Sequence, residues 1–269
     1  MASARAPASV IMASMAVRLS EVFPRDALRF EPTAKWVRGE LGGATVVDSK
    51  SCWLVWEPGR VVPGWCFPPC DVSADALREV EARAGEHSAD VDAVFDVVAG
   101  GRTAARGAWT FADPDLEGRV QVDFHALDRW REEEVEVVGH PRDPFKRVDV
   151  RRSSRHVRVH VDGELAADSE RPLLLFETGL PVRYYLPRDD VRMDLLAESD
   201  TRTVCAYKGR ASYYSAGDEE DVAWLYPDPL PDNAEIRGHV AFHNERVDIE
   251  VDGELLERPV TQWSGRPRR

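Results

Sequence analysis

Residues 48–68 read DSKSCWLVWEPGRVVPGWCFP, and residues 168–187 read DSERPLLLFETGLPVRYYLP. Both stretches begin with Asp-Ser, pass through an apolar run to a glutamate and a glycine, and end on proline, with one residue dropped after the glycine. Further matches follow in the same order along the chain. They pair residues 108–114 (AWTFADP) with residues 223–229 (AWLYPDP), and Val122, Phe124 and His125 with Val240, Phe242 and His243. A repeat this long indicates a duplicated domain rather than a solenoid.

Short antiparallel strands dominate the local pattern. Residues 157–161 alternate between apolar and polar side chains, Asp162-Gly163 follows, and residues 164–167 return. Asp-Gly between alternating runs is a strong hairpin signal, because a type I′ turn needs a positive φ at both central positions. The same pattern recurs around Asp252-Gly253.

Helix signals are few. Ser73 is placed to cap a helix over residues 74–84, and residues 190–197 give a shorter equivalent in the second copy. We therefore predict an all-β fold with minor helix, built from two tandem domains that arose by internal duplication.

The chain of 269 residues has room for two domains of typical size. The segment between the copies holds two prolines and six basic residues, and we interpret it as an extended linker docked on the surface. The predicted divisions are a loose leader (1–21), a degenerate first copy (22–138), the basic linker (139–156), the second copy (157–256) and a tail expected to fray (257–269).

The formal net charge of −13 at pH 7 argues against general binding to nucleic acid or to anionic membranes, since both require an excess of basic residues. Arginine provides nearly all of the positive charge. The lysines are Lys35, Lys50, Lys146 and Lys208. No run approaches the roughly 18 apolar residues of a transmembrane helix. Residues 8–17 resemble a signal peptide only weakly, because the apolar run is interrupted. Met12 or Met15 is an alternative start. We therefore predict a cytoplasmic protein.

The cysteines give no sign of a metal site or of a disulfide framework. None of the four belongs to a CxxC pair, so we predict no structural zinc and no bound metal. His239 and His243 share a strand face opposite Val240 and Phe242, which we interpret as an exposed face rather than a two-histidine metal site.

Long motifs of the second copy carry a resemblance to a known family. Besides the repeated segments, residues 205–214 read CAYKGRASYY and residues 238–242 read GHVAF. Over about residues 22–255 the chain closely resembles the bacterial domain-of-unknown-function 427 family in its tandem, two-copy form. The resemblance implies a tandem β-tent fold, with two small antiparallel sheets meeting at an angle in each half. It implies no established activity, although the family is also classified with nucleotidyltransferases.

The first copy departs from the family pattern at one motif. We align residues 97–106, which include Gly100-Gly101 and no lysine, with the CAYKG motif of residues 205–209. Chemistry that depends on this motif is therefore expected only in the second copy.

Glu177, Lys208 and Cys205 are the candidate catalytic residues. Glu177 ends an apolar strand, where a buried carboxylate needs a partner; it is either a structural acid or a ligand-binding acid or general base. Lys208 is either a solvated turn lysine or a cation for a phosphate or carbonyl group. Cys205 is either a buried inert thiol or a nucleophile activated by Lys208 or by a histidine.

Aromatic residues of the second copy are candidates for a ligand pocket. Trp224 and Tyr226 are two residues apart, so on a strand they face the same side. In the adjacent pairs Tyr184-Tyr185 and Tyr213-Tyr214, only one ring of each pair faces that side. We predict that these rings wall a pocket for a small organic ligand or nucleobase, and that Glu177 and Lys208 are its polar groups. Packing of a small β core is the alternative.

Arginines complete the list of candidate ligand-binding residues. Arg183 lies within the repeated motif, and Arg155 lies in the basic linker. We predict that some linker arginines (Arg142, Arg147, Arg151 and Arg155) fold back over the second copy near Lys208 or Glu177. The alternative is a solvated linker whose arginines pair with surface acids.

The leading functional hypothesis is a small-molecule-binding protein whose ligand is anionic or heteroaromatic and whose pocket lies in the second copy. The alternatives are an enzyme of the nucleotidyl- or acyl-transfer type that uses Lys208 and Glu177, and a structural or interaction scaffold. The sequence contains no Walker loop, GxGxxG, GxSxG or HExxH motif, and we predict no cofactor. The pattern leaves the oligomeric state open.

Overall fold

The computed structural model describes residues 25–264, so the predicted leader (1–21) and the last residues of the tail lie outside the described residues. The strands of the first copy are β1 Arg29–Pro32, β2 Val37–Leu41, β3 Ala44–Ser49, β4 Trp53–Trp56, β5 Gly64–Phe67, β6 Leu77–Val80, β7 Val91–Ala99, β8 Arg102–Phe111, β9 Val120–Val122, β10 Arg129–Glu132 and β11 Val135–Glu136. Those that follow are β12 Val148–Arg152, β13 Val157–Val161, β14 Glu164–Ser169, β15 Leu173–Glu177, β16 Arg183–Pro187, β17 Ala197–Cys205, β18 Gly209–Ala216, β19 Glu219–Leu225, β20 His239–Phe242, β21 Asp248–Val251 and β22 Glu254–Leu255.

Each copy is built from two antiparallel sheets. The first copy has a seven-stranded sheet of order β1-β4-β5-β9-β8-β7-β6 and a four-stranded sheet of order β11-β10-β2-β3. The second copy repeats both, as β12-β15-β16-β20-β19-β18-β17 and β14-β13-β21-β22. This strand-by-strand correspondence confirms the all-β fold and the internal duplication.

The predicted hairpins are present. Asp162 and Gly163 adopt φ values of 50° and 82°, and Asp252 and Gly253 adopt 54° and 84°. Both turns therefore have the positive φ pair of a type I′ turn, whose twist matches that of the flanking strands.

The two predicted helices are wrong. In the first copy only a 3-10 turn, Ala74–Ala76, forms before the chain enters β6, which pairs with β7. In the second copy the 3-10 turn Met193–Leu195 leads into β17. An isolated helix of about ten residues is marginal in water, and the backbone ladder at the sheet edge replaces it. The remaining 3-10 turns are Pro69–Asp71, Pro114–Leu116, Phe124–Ala126, Arg188–Asp190 and Pro231–Ile236.

Two apolar layers are packed in each copy. In the second copy the larger layer lies between the two sheets and includes Val159, Leu186, Phe242 and Ile249. A smaller layer on the other face of the seven-stranded sheet includes Tyr185, Trp224 and Tyr226 among its members. That smaller layer adjoins the candidate site.

The register between strands corrects one part of the sequence alignment. Ala108 lies opposite Val122 in the first copy, whereas Ala223 lies opposite Phe242 in the second. Phe242, and not Val240, is therefore the equivalent of Val122, so the alignment of this segment is wrong by two residues. A two-residue slip leaves the inward and outward faces of a strand unchanged, so the apolar pattern does not reveal it.

The basic segment between the copies contains strand β12. This strand pairs with β15 and forms the edge of the seven-stranded sheet of the second copy, as β1 does in the first. Residues 257–264 also pack onto the second copy: Thr261 donates a hydrogen bond to Glu245, and the Trp263 ring lies near His243. The expectation that the tail frays is therefore wrong for these residues.

Candidate functional site

A buried carboxylate with two lysines lies at the end of β15. Glu177 Oε2 is 2.5 Å from Nζ of Lys208, in the turn between β17 and β18, and Glu177 Oε1 is 2.9 Å from Nζ of Lys146. The Glu177 side chain is 7% exposed, that of Lys208 10% and that of Lys146 26%. The structure thus unites the two candidates Glu177 and Lys208 and adds a lysine that the sequence did not single out.

The pKa directions fix the charge states of this cluster. Burial raises the pKa of the Glu177 carboxyl, but the charges and hydrogen bonds of Lys208 and Lys146 outweigh it, so its pKa lies below the ordinary value. Burial lowers the pKa of Lys208, but Coulomb interactions with Tyr185 and Glu177 more than offset it and leave the pKa raised. At neutral pH Lys208 is therefore a cation, and Glu177 is an anion.

The aromatic candidates divide between the two layers. Tyr184 and Tyr214 belong to the layer between the sheets. Tyr185 and the partly buried Tyr213 join Trp224 and Tyr226 on the other face. This division identifies which ring of each adjacent pair faces the side of Glu177.

These rings are buried together in one apolar layer. Trp224 Nε1 donates a hydrogen bond of 3.1 Å to the Tyr185 hydroxyl, and Tyr185 is fully buried. Trp224 and Tyr226 are 7% and 5% exposed, and Cys205 packs against the same layer. In the structure these rings belong to a packed β core, which was the alternative to a pocket walled by them.

Arg183 is held in a buried ion pair. Its guanidinium donates two hydrogen bonds of 2.7 Å to Glu245 and lies 5.7 Å from the Trp224 ring centroid and 5.5 Å from that of Trp263. The expected exposed face at His243 is also wrong, because that ring is buried against Trp224, with ring centroids 4.5 Å apart.

The pH dependence of stability tests this ion pair. Burial raises the pKa of Glu245, but hydrogen bonds from Arg183 and Thr261 outweigh it, and the pKa falls from 4.5 to about 2. Because the pKa of Glu245 is lower in the folded state, its ionised carboxylate stabilises the fold at pH values above the unfolded-state pKa of 4.5. This stabilisation is lost as the pH falls from about 4.5 to about 2. Urea unfolding across this range is expected to show a shallower acid dependence in Glu245→Gln than in the wild type. Identical acid profiles would contradict the assignment.

The linker arginines have separate partners. Arg142 Nε donates a hydrogen bond of 2.8 Å to the Ala206 carbonyl, and its guanidinium lies 5.7 Å from the Tyr207 ring centroid. Arg155 instead pairs with Asp252, in the turn between β21 and β22. Arg142 therefore folds onto the CAYKG turn as predicted, and the cation that reaches Glu177 is a lysine. Arg147, Arg151 and Arg155 instead pair with acids, as in the alternative of a linker with surface ion pairs.

A cleft of about 560 Å³ lies beside this cluster, between the two copies. We call it the interdomain cleft. Its basic lining residues are Lys35, Arg142, Lys146 and Arg147, its acidic ones Glu31, Asp143 and Asp232, and its aromatic ones Phe145 and Tyr207. Phe145 is 54% exposed. The lining has one more basic than acidic residue in a chain whose net charge is −13, and each basic residue is paired with an acid.

The equivalent of the CAYKG turn in the first copy is the connection between β6 and β7, residues 81–90. The sheet orders align β6 with β17 and β7 with β18. Residues 97–106, which we aligned with this turn, instead surround the next hairpin, between β7 and β8. The alignment is wrong, but the replacement loop also contains no lysine. The three-charge cluster is therefore confined, among the described residues, to the second copy.

The comparison with known families agrees with this architecture. The model of the family described as "Domain of unknown function (DUF427)" matches the chain twice, over residues 29–133 and 149–253. The chain belongs to this family, in a tandem arrangement of two copies. No curated protein matches the chain.

Among residues 25–264, no group of three or more His, Cys, Asp and Glu side chains is arranged to hold a metal ion. In the same part of the chain, no helix has both the length and the apolar character required to span a bilayer.

Proposed function

We propose that this protein binds a small anionic molecule in the interdomain cleft, with Lys146 as the principal contact. The observation that carries the proposal is the pairing of two lysines with one carboxylate. Glu177 neutralises one positive charge, and the surplus charge reaches the cleft through Lys146, which lines it. Charge-assisted hydrogen bonds to phosphate or carboxylate oxygens are about twice as strong as neutral ones, so an anion gains most at this position.

The distribution of lysine supports the same site. Lysine occurs at only four positions of the chain. Lys35 and Lys146 line the cleft, and Lys208 pairs with Glu177, the acid beside the cleft. A lysine ammonium is a compact point charge with three rotatable N–H donors, and such a group is well suited to binding phosphate. Cations concentrated in a cleft of an acidic protein also attract an anion to that cleft in preference to the remaining surface.

The dimensions of the cleft set the size of the ligand. A volume of about 560 Å³ falls within the range of about 300–1,000 Å³ that is typical of small-molecule sites, which are often found between domains. Phe145 and Tyr207 provide aromatic surface beside the cations. We infer that the ligand carries a phosphate or carboxylate together with a planar group, as a nucleoside monophosphate does.

The charge states favour binding over catalysis by Lys208 and Glu177. A lysine with a raised pKa that is 2.5 Å from a carboxylate lacks the free amine that a nucleophile needs. A carboxylate with a lowered pKa is a weak general base at neutral pH. The transfer-enzyme alternative therefore has less support than a binding role.

The test is isothermal titration of the full chain with inorganic phosphate, pyrophosphate, a nucleoside monophosphate and the uncharged nucleoside. We expect the nucleoside monophosphate to bind more tightly than the nucleoside. Lys146→Gln is expected to weaken that binding at least tenfold, since a charge-assisted hydrogen bond contributes about 1.5–3 kcal/mol. Lys50→Gln is the matched control, because Lys50 lies over Trp36 and does not line the cleft.

Native mass spectrometry of protein taken directly from cells extends the test beyond these probes. A co-purifying anion that Lys146→Gln loses and Lys50→Gln retains would support the proposal. Consumption of the bound molecule would favour the enzyme alternative. Absence of binding by every probe, with no co-purifying molecule, would favour the scaffold alternative.

A further inference from the structure

The first copy contains the same buried carboxylate without the lysines. Glu57 is the counterpart of Glu177, and its side chain is 1% exposed. Its nearest donors are Ser88 Oγ at 3.3 Å and Gln121 Nε2 at 3.4 Å, both uncharged. The nearest cation is Arg60, whose Nε is 3.9 Å away on a side chain that is 57% exposed.

This environment leaves the Glu57 charge poorly compensated. In the second copy the nearest ammonium nitrogen is 2.5 Å from the equivalent carboxylate. A buried carboxylate held by two long, neutral hydrogen bonds and one distant ion pair is costly, because it has lost its water without gaining a comparable partner.

A second acceptor without a donor lies beside it. Gln121 is 4% exposed, and its Oε1 receives no hydrogen bond from the protein groups described. Its amide nitrogen is the group that contacts Glu57, so amide and carboxylate belong to one cluster. The cluster of Glu57 and Gln121 therefore contains more hydrogen-bond acceptors than strong hydrogen-bond donors.

The geometry that brings Gln121 to Glu57 depends on the glycine at position 64. A Cβ placed on Gly64 would come within 2.6 Å of Gln121 Nε2. In the second copy the large and small residues are exchanged: Arg183 corresponds to Gly64, and Ala241 corresponds to Gln121. The two positions therefore differ together: a large side chain at one accompanies a small residue at the other.

We propose that the Glu57 cluster is a binding site for a primary ammonium group, either free ammonium or the head of a small primary amine. The group would supply the positive charge that Lys208 supplies to Glu177, beside the Glu57 oxygen that Ser88 Oγ contacts. Its N–H donors match three acceptor groups, the Glu57 carboxylate, Gln121 Oε1 and Ser88 Oγ. The loop of residues 81–90, which carries Ser88, is largely exposed. This site is separate from the interdomain cleft and independent of the function proposed for it.

The test compares cations of graded hydrogen-bonding capacity on the full chain. Thermal unfolding is followed in ammonium, methylammonium, tetramethylammonium and sodium chloride at equal ionic strength. We expect ammonium and methylammonium to raise the midpoint by about 3–6 °C at ten times their dissociation constant. Tetramethylammonium and sodium are expected to have no such effect, because neither carries an N–H donor.

Two variants locate the effect. Glu57→Gln keeps the shape of the side chain, removes its charge and is expected to abolish the ammonium response, whereas Glu177→Gln is expected to retain it. If Glu57→Gln does not fold, Gln121→Leu serves instead and is expected to weaken the response about tenfold. Equal shifts in all four salts, no shift in any, or a response that survives Glu57→Gln would each overturn the proposal.

Discussion

Glu245→Ala is expected to destabilise the protein by about 3–5 kcal/mol, the largest effect of any substitution considered. The Glu245 side chain is fully buried, and it accepts two hydrogen bonds from Arg183, which is 7% exposed. Removing one member of a buried pair leaves the other charge without a partner, and that penalty exceeds the value of the lost contact. Urea unfolding monitored by tryptophan fluorescence measures the loss.

A double substitution distinguishes the contribution of the Arg183–Glu245 ion pair from the contribution of side-chain packing. Arg183→Met combined with Glu245→Leu removes both charges and keeps apolar volume, so we expect it to be at least 2 kcal/mol more stable than the single alanine variant. Thr261→Val is a control that removes one hydrogen bond to Glu245 and is expected to cost about 1 kcal/mol. A loss below 1 kcal/mol for Glu245→Ala would contradict the buried pair.

The fold was predictable where the sequence expresses a local requirement. Asp162-Gly163 and Asp252-Gly253 predicted hairpins because few residues tolerate two successive positive φ values. The helix over residues 74–84 failed because Leu77 and Val80 fit a helical face and an edge strand equally well. The pairing of Leu77 with Val97 decides between them, and it is a long-range contact that local spacing does not encode.

The candidate site was predictable in part for the same reason. Glu177 and Lys208 stood out as an acid ending an apolar run and a rare lysine in a turn. Lys146 was missed because it reaches the acid through strand pairing: Val148 lies directly opposite Glu177 in the register of β12 and β15. The alternating Val148-Asp149-Val150 was a signal for that strand, but the prolines and arginines around it favoured a linker.

Side-chain periodicity gives direction and not distance, so the sequence could not decide between a pocket and a packed core. Trp224, Tyr226 and Tyr185 do face one side, as their spacing indicates, and they lie in one buried apolar layer. The concave surface instead forms where the two copies meet at the basic segment. A surface between domains depends on how two units dock, which a repeat within each unit does not specify.

Glu177→Ala is expected to destabilise the protein by about 2–3 kcal/mol, less than Glu245→Ala. The substitution leaves Lys208, which is 10% exposed, without its carboxylate partner, whereas Lys146 is 26% exposed and retains more contact with water. An unpaired buried ammonium bears the desolvation cost that the acid had offset. Chemical unfolding of the single variant at neutral pH gives the value.

A double-mutant cycle then distinguishes a coupled pair from two independent residues. Glu177→Gln and Lys208→Met are each expected to be destabilising, and the combined variant is expected to lose at least 1 kcal/mol less than the sum of the two. Repeating the cycle with Lys146→Met in place of Lys208→Met should give a smaller coupling, because that lysine is more exposed. Strict additivity in the first cycle would mean that Glu177 and Lys208 do not act as a pair. The ranking of the two couplings follows from burial: the more buried Lys208 is the structural partner of Glu177, and the more exposed Lys146 is the lysine that we propose contacts an anion in the cleft.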